Sequence, residues 1–471
     1  MPDLEVAALN GGIQTLQAGW VDGLSARLQR GLLRPGDQGY DQARTVWNGM
    51  IDKRPAVIAQ CADTAEVGAC VEFAREHGVL MSVRGGGHNY AGKAVCDGGL
   101  MIDLSPMKAI DVDPARRTAH AQAGLRLGEF DHATQEFGLA TTLGINTDTG
   151  IAGLTLGGGY GWLAGKYGLA CDNLLSAQVV TADGRVRRAS AEEHEDLFWA
   201  LRGAGANFGI VTEFEYRLHP VDAVVGGILL YPLTADVLRF FDDFASGAPD
   251  ELTSAGVVLT GPDGQLAFGV AVCYCGSLDD GEAALKPLRS FATPLADLIE
   301  RRPYSDMQKQ LDAAWPPRRQ YYCRAHNIRR LGEDAIHTVL RYSAMLPTPV
   351  SNIAFQQLHG AASRVPPGAT AFPHRYDHYD LLVHPAADDP ADCEKMIRWA
   401  WQCWDDLQPY VERAVYVNAI EDAAEERADR VRDAYGANYP RLQALKRTYD
   451  PENLFRMNSN ITPLAPAPTT V

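Results

Sequence analysis

Two glycine-rich segments hold the residues most able to do chemistry. The first, Arg84-Gly-Gly-Gly-His-Asn-Tyr-Ala-Gly92, follows a run that reads as a strand. Gly85, Gly86 and Gly87 carry no Cβ, so their N–H groups can close around an anion such as a pyrophosphate. Arg84 adds a fixed positive charge at the edge, and Asn89 and Gly92 belong to the same candidate cofactor loop. The Gly-Lys-Ser/Thr ending of a phosphate-binding P-loop is missing, and no helix opens here as the dinucleotide fingerprint requires. The second segment runs from Thr149 to Gly161, and six of its thirteen residues are glycine, among them Gly150, Gly153, Gly158 and Gly159. Glycine costs roughly 0.5–1 kcal/mol relative to alanine inside a regular element. Close packing against a flat cofactor explains that cost better than a surface loop does. Two such loops far apart in sequence point to an extended dinucleotide site.

The elements that would position these loops alternate in type. Residues 55–59 and 79–83 read as strands around a helix that begins at Thr64. Further strands are expected at 98–104, 109–112, 174–181, 185–188 and 209–218, with helices at 125–137 and 196–202. Residues 1–50 read as a helical lead-in. After His219-Pro220 the texture changes to longer helices, at 234–245, 280–291 and 394–405. Between them lie strands at 224–231, 254–259, 266–274, 354–358 and 379–384. That pattern predicts an α+β unit, a sheet covered by helices on one face. Residues 424–449 read as a charged helical stretch, and the tail Pro463-Leu-Ala-Pro-Ala-Pro468 as frayed.

Composition bounds the function. The 471 residues, 46% hydrophobic and 22% charged, are ordinary for a globular protein of two or three folding units. A net charge of −16 weighs against a nucleic-acid or anionic-membrane partner. The nine cysteines are scattered and form no zinc spacing, so they read as buried thiols in a reducing compartment. No metal site is expected. The N-terminus shows no signal peptide and no apolar run reaches membrane-spanning length, so a cytoplasmic location is expected.

The two loops, with their surroundings, resemble a known family. Arg84–Gly92 followed by Gly98-Gly-Leu-Met-Ile-Asp-Leu104 looks like the first FAD loop of the vanillyl-alcohol-oxidase flavoprotein superfamily, whose FAD domain is called PCMH-type. Thr149–Gly161, Lys166-Tyr-Gly-Leu169, Asp172-Asn-Leu174, Val179–Gly184, Asp196–Gly203 and Asn207–Thr212 resemble its berberine-bridge-enzyme-like branch. So do Tyr416-Val-Asn418, Asn438–Leu442, Asp450–Arg456 and Asn458-Ser-Asn-Ile461 near the end. The resemblance implies a two-domain PCMH-type fold. Residues 50–220 with 431–465 would bind FAD, and residues 221–430 would form the α+β substrate domain.

The resemblance also implies roles. His88 matches the histidine that bonds covalently to the flavin 8α-methyl carbon. Many members add a second link through a cysteine at the position of Asn146, so a single link is expected here. Thr149 matches a position that controls oxygen access, Asn458 and Asn460 match flavin-edge contacts, and Ile210 would pack near the adenine. Tyr90 and Tyr160 match tyrosines that line the active site. Tyr416 and Asn418 would enter on a strand from the other domain. The tyrosine that follows this asparagine in plant members is replaced by Ala419, which leaves Tyr90, Tyr160, Tyr416, His378 and Tyr379 as substitute bases. A tyrosine base would need its pKa lowered from about 10, and Lys166 is the cation nearest to Tyr160 in sequence.

The implied reaction is hydride transfer from an alcohol, sugar or secondary-metabolite C–H to FAD, with O₂ as acceptor and hydrogen peroxide as product. Amine oxidation, oxidative cyclisation, a dehydrogenase with poor oxygen reactivity and a flavin-binding protein without turnover are the alternatives. The expected partners are therefore a small-molecule substrate and O₂.

Overall fold

A computed structural model describes residues 3–261, 263–421 and 427–464. The α+β expectation holds: three sheets carry the architecture. In the first, Val57–Gln60 and Met81–Arg84 each run parallel to a central Leu100–Asp103, and Leu32–Leu33 joins the outer side of Val57–Gln60 antiparallel. Helix Thr64–Glu76 makes the crossover between the first two strands, capped by Asp63 accepting from the N–H of Glu66. Its Val67, Val71 and Phe73 enter the core shared with the second sheet. That second sheet is antiparallel, in the order Val186–Ser190, Leu174–Val180, Ile210–Arg217, Thr118–Gln122 and Ile110–Asp113.

The third sheet is also antiparallel. Its path runs through Ala296–Asp297, Ala223–Pro232, Leu266–Tyr274, Leu252–Thr260, Asn352–Leu358, His378–His384 and Arg324–Ile328. Helices Ala235–Ser246, Glu333–Ser343 and Cys393–Leu407 cover one face, where Phe241, Ile336 and Trp399 share a core with Val270, Phe355 and Leu381. Side chains alternate across a strand. With Tyr379, Leu381 and Val383 under the helices, His378, Asp380, Leu382 and His384 occupy the opposite, inner face. Residues 415–461 return to the core of the first two sheets through Val415, Leu442, Phe455 and Ile461.

Several expectations change in detail. The N-terminal lead-in holds a strand pair, Leu4–Ala7 with Ile13–Leu16, before its helix Ala18–Ala26. Gly11, with φ +87°, makes the turn between the strands. The helix expected at 280–291 is two helices, Leu278–Ala284 and Lys286–Ser290, because Pro287 has no N–H to continue the ladder. The charged stretch gives helices Arg427–Tyr435 and Tyr439–Tyr449, while residues 424–426 of that reading, and the tail from residue 465 on, lie outside the described residues. All nine cysteines are free thiols, and all but Cys393 are buried. Among the described residues, no helix is long and apolar enough to cross a membrane, and no His/Cys/Asp/Glu cluster could hold a metal ion.

One buried contact ties the third sheet to the second. Asp131, on helix Leu127–Gln135, accepts a 2.9 Å hydrogen bond from Gln308, on helix Tyr304–Gln308. Burial pushes its carboxyl up from 3.8 to about 7, since the charged form loses its water. A carboxyl that is harder to ionise when folded costs no stability below pH 3.8. The cost grows as pH rises to about 7 and then levels off, at up to about 4 kcal/mol. Asp131→Asn should therefore raise stability at pH 8 by about 1–4 kcal/mol, with the gain vanishing near pH 4, as read by denaturant unfolding at both pH values.

Candidate active site

The two glycine loops meet at bare backbone. A Cβ on Gly86 would lie 2.3 Å from the Gly150 nitrogen, and one on Gly150 would lie 2.4 Å from the Gly86 nitrogen. The N–H groups of Gly86, Gly87 and His88 find no acceptor among the described residues. Buried donors without partners are rare, so this nest suits an anion. From it a groove runs past Ser82, Gly85, Ala152, Gly153, Ile210 and Asn458. Gly153 keeps open space where a side chain would be, and the side-chain oxygens of Asn458 and Asn460 are buried without hydrogen-bond partners among the described residues. A pyrophosphate joined to flat rings fits these features, so the groove can hold a dinucleotide. Arg84 reaches back to the Ala43 carbonyl at 2.5 Å, and its Nε has no hydrogen-bond partner among the described residues.

Other glycines of the second segment serve the protein itself. A side chain on Gly158 would meet Phe372 at 2.9 Å, and one on Gly159 would meet Ala170 at 2.4 Å. The close packing expected against a cofactor is there an approach of protein to protein. Gly92, with φ +63°, turns against Ile51, and Asn89 accepts from the N–H of Lys93 at 3.2 Å. Helix Ile151–Leu156 forms inside the glycine run, directly after the crossing at Gly150.

His88 stands beside the crossing. Its Nε2 is 3.1 Å from the Asp148 carboxylate, and its ring stacks on Trp47 at 5.0 Å. Burial, helped by the charge of Arg126, pushes its pKa down to about 3, so the imidazole is neutral at physiological pH. Asn146 accepts from the Asp148 N–H at 3.0 Å, and Thr149 donates its N–H to the Asn146 carbonyl.

The tyrosines come together on the inner face of the third sheet. Tyr160 lies 3.1 Å from Nε2 of His378, whose Nδ1 lies 2.6 Å from the Tyr376 carbonyl. A carbonyl only accepts, so Nδ1 carries the proton and Tyr160 donates to Nε2. Tyr416 is placed differently: its hydroxyl oxygen accepts from the Gly159 N–H at 3.1 Å and from the Asn418 amide at 2.8 Å. Burial raises the pKa of Tyr90, Tyr160 and Tyr416 alike. The expected help from Lys166 is absent, because its ammonium turns to the Cys275 carbonyl and to Glu251. Tyr416 and Asn418 arrive on a single helical turn, Val417–Ala419, and not on a strand. Tyr379 faces the helices, within their core.

Asp380 is the residue that sequence reasoning missed. It is 1% exposed, its Oδ1 has no partner among the described residues, and burial pushes its carboxyl up to about 7. Its charge acts on Tyr90, Tyr160 and Tyr416 alike, which puts it among all three phenols. The alternation of His378, Asp380 and His384 against Tyr379, Leu381 and Val383 marks one polar face on that strand, a signal that picks out the face but not Asp380 within it. His384, further along the same face, packs edge-on to Tyr90 at 5.2 Å.

Comparison with known proteins agrees with this geometry. The family described as FAD binding domain matches residues 55–190, and the one described as Berberine and berberine like matches residues 415–462. An FAD-linked oxidoreductase of Dictyostelium discoideum is 31% identical, over 92% of this chain and 94% of its own length. The (R)-6-hydroxynicotine oxidase of Paenarthrobacter nicotinovorans is 32% identical, over 93% of this chain and 97% of its own. The crystal structure of 6-hydroxy-D-nicotine oxidase from Arthrobacter nicotinovorans superposes with a TM-score of 0.84 at 29% identity, covering 93% of this chain and 98% of that one. With its nest, its groove and these likenesses, the chain belongs to the berberine-bridge-enzyme-like branch of the vanillyl-alcohol-oxidase superfamily and is an FAD-linked oxidoreductase.

Proposed function

We propose that the protein is an oxidase that carries FAD on one covalent bond to His88. Its substrate would be a small alcohol, sugar or secondary metabolite, oxidised at a C–H beside an O–H. The observation that carries this reading is Asp380, a buried carboxyl held near neutrality among three phenols. Such a group is poised to gain and lose a proton at working pH. Bound FAD supplies the hydride acceptor and passes the electrons to O₂, which leaves as hydrogen peroxide.

In this reading, Asp380 as carboxylate takes the proton of the substrate O–H while the neighbouring C–H gives up hydride. Tyr416, accepting from two N–H donors, keeps its own proton free to orient the substrate oxygen. Tyr160 is committed to His378, and Tyr90 closes the wall beside His384. Gly85 to Gly87, Arg84, Asn89 and Gly92 would frame the pyrophosphate side, with Gly150 and Gly153 opposite. Ile210 would lie by the adenine, and Asn458 and Asn460 at the flavin edge. Thr149 is small enough to leave oxygen a path. Asn146 stands where a second, cysteinyl link would form. The relative named for 6-hydroxynicotine favours a second reading, in which Asp380 takes the proton of an amine.

Two measurements test the proposal. Acid-precipitated protein should stay yellow, with the flavin on the peptide that contains His88, and His88→Ala should release all flavin to the supernatant. Colour lost from the native protein would overturn the covalent link. For Asp380, alcohols, sugars and amines are screened for anaerobic bleaching of the flavin, then for peroxide on re-aeration. The base works deprotonated, so the bleaching rate should rise as pH passes about 7 and level off above. Asp380→Asn should lower that rate by roughly a hundredfold or more and remove the pH step. A variant with an unchanged pH step would mean that another group is the base.

A further inference from the structure

We propose that Asp148 is the positioning residue for covalent attachment: it holds the imidazole proton of His88 on Nε2, so that the flavin bond forms at Nδ1. The inference rests on the reading that FAD is attached at His88. A carboxylate only accepts hydrogen bonds, so at 3.1 Å from Asp148 Oδ2 the Nε2 atom must be the donor. A neutral imidazole with its proton on Nε2 has its lone pair on Nδ1. That atom meets no hydrogen-bond partner among the described residues.

Asp148 is itself fixed. Its N–H donates to Asn146, its other carboxylate oxygen pairs with Arg126, and the adjacent Thr147 donates from both N–H and Oγ1 to the two oxygens of Asp312, at 2.9 and 2.5 Å. Trp47 fixes the plane of the His88 ring by stacking at 20°. Other inner histidines lack this arrangement. His378 is held by Tyr160 and a backbone carbonyl, and both ring nitrogens of His384 are without hydrogen-bond partners among the described residues.

The chemistry explains why a carboxylate belongs there. As Nδ1 gives its lone pair to the flavin 8α carbon, the ring becomes cationic with a proton on Nε2, and Asp148 neutralises that charge at hydrogen-bond distance. One C–H bond of the methyl group is lost as a proton and one N–C bond is gained. The electron pair of the broken bond would pass through bound FAD to O₂ and leave as hydrogen peroxide with two protons, the one from the methyl group and the Nε2 proton that the alkylated ring gives up to become a neutral imidazole. Asp148 thus acts on His88 and not on the substrate.

The test expresses the full-length wild-type protein with Asp148→Asn, Asp148→Ala and Asp148→Glu. Total bound FAD is measured before acid precipitation, the attached fraction by intact mass after it, and the linked nitrogen by NMR of the flavin peptide. Wild type should be fully attached through Nδ1. Asp148→Asn and Asp148→Ala should bind a similar total of FAD but attach it at least tenfold more slowly, with the residual link divided between the two nitrogens. Asp148→Glu should restore most of the attachment. The inference is overturned if Asp148→Asn attaches FAD as completely and through the same nitrogen, if the wild-type bond lies on Nε2, or if the variants simply lose FAD altogether. A wild-type protein without attached flavin would sink the covalent reading itself, and this inference with it.

Discussion

The site depends on one crossing, where the backbone of Gly86 lies against the backbone of Gly150. Neither position admits a side chain, since a Cβ on either would come within 2.4 Å of the other chain. Both sides of the crossing are anchored. Met81–Arg84 is held in a parallel ladder with Leu100–Asp103, and Ile151 donates its N–H to the Leu125 carbonyl as its helix begins. Two residues beyond Gly86 stands His88, and two residues before Gly150 stands Asp148, so the crossing makes them neighbours. On its other side, Gly85 and Gly153 open onto the groove that ends at Ile210 and Asn458. Any side chain at the crossing would part both pairs at once.

The third sheet answers this with a polar inner face. A buried polar group without a partner costs roughly 1–3 kcal/mol, and a charged one more. Among the described residues, the face nonetheless leaves Oδ1 of Asp380 and both ring nitrogens of His384 without a hydrogen-bond partner. Their strand is otherwise well built, with Leu381 and Val383 in the helix-covered core. The phenols divide the work by hydrogen-bond direction. Tyr160 must donate to His378, whereas Tyr416 accepts twice and keeps its proton to give.

How much of this was legible follows from where the information lay. The two glycine-rich loops stood out because each is one contiguous segment of unusual composition, while the protein-to-protein approach at Gly158 and Gly159 depends on partners far away in sequence. The helix expected at 234–245 is present as Ala235–Ser246, with Thr234 capping it by accepting from the N–H of Val237. Asp380 was not legible. It lies almost three hundred residues from His88, on a strand whose alternation signals a half-buried strand and nothing more. Lys166 was misjudged because nearness in sequence is not nearness in space, and its helix turns it towards Glu251. Trp47 and Asp148 went unread for a related reason: their roles exist only once the loops have crossed.

The two halves are also joined through rings. His88 stacks on Trp47, and Trp47 stacks on Tyr321 at 3.9 Å and 6°. Tyr321 in turn lies face to face with His384 on the inner sheet face, at 5.7 Å. Each such pair is worth about 0.5–1.5 kcal/mol beyond burial. Beside this stack, Asp312 of the third-sheet unit holds Thr147, the neighbour of Asp148. Hydrogen bonds to a charged group contribute about 1.5–3 kcal/mol. His88 is therefore oriented from both sides, by bare backbone from its own loop and by rings and a carboxylate that reach it from the third sheet. A shift of the inner sheet face cannot leave His88 where it stands, so the geometry of the glycine-loop crossing and that of the inner face are set together.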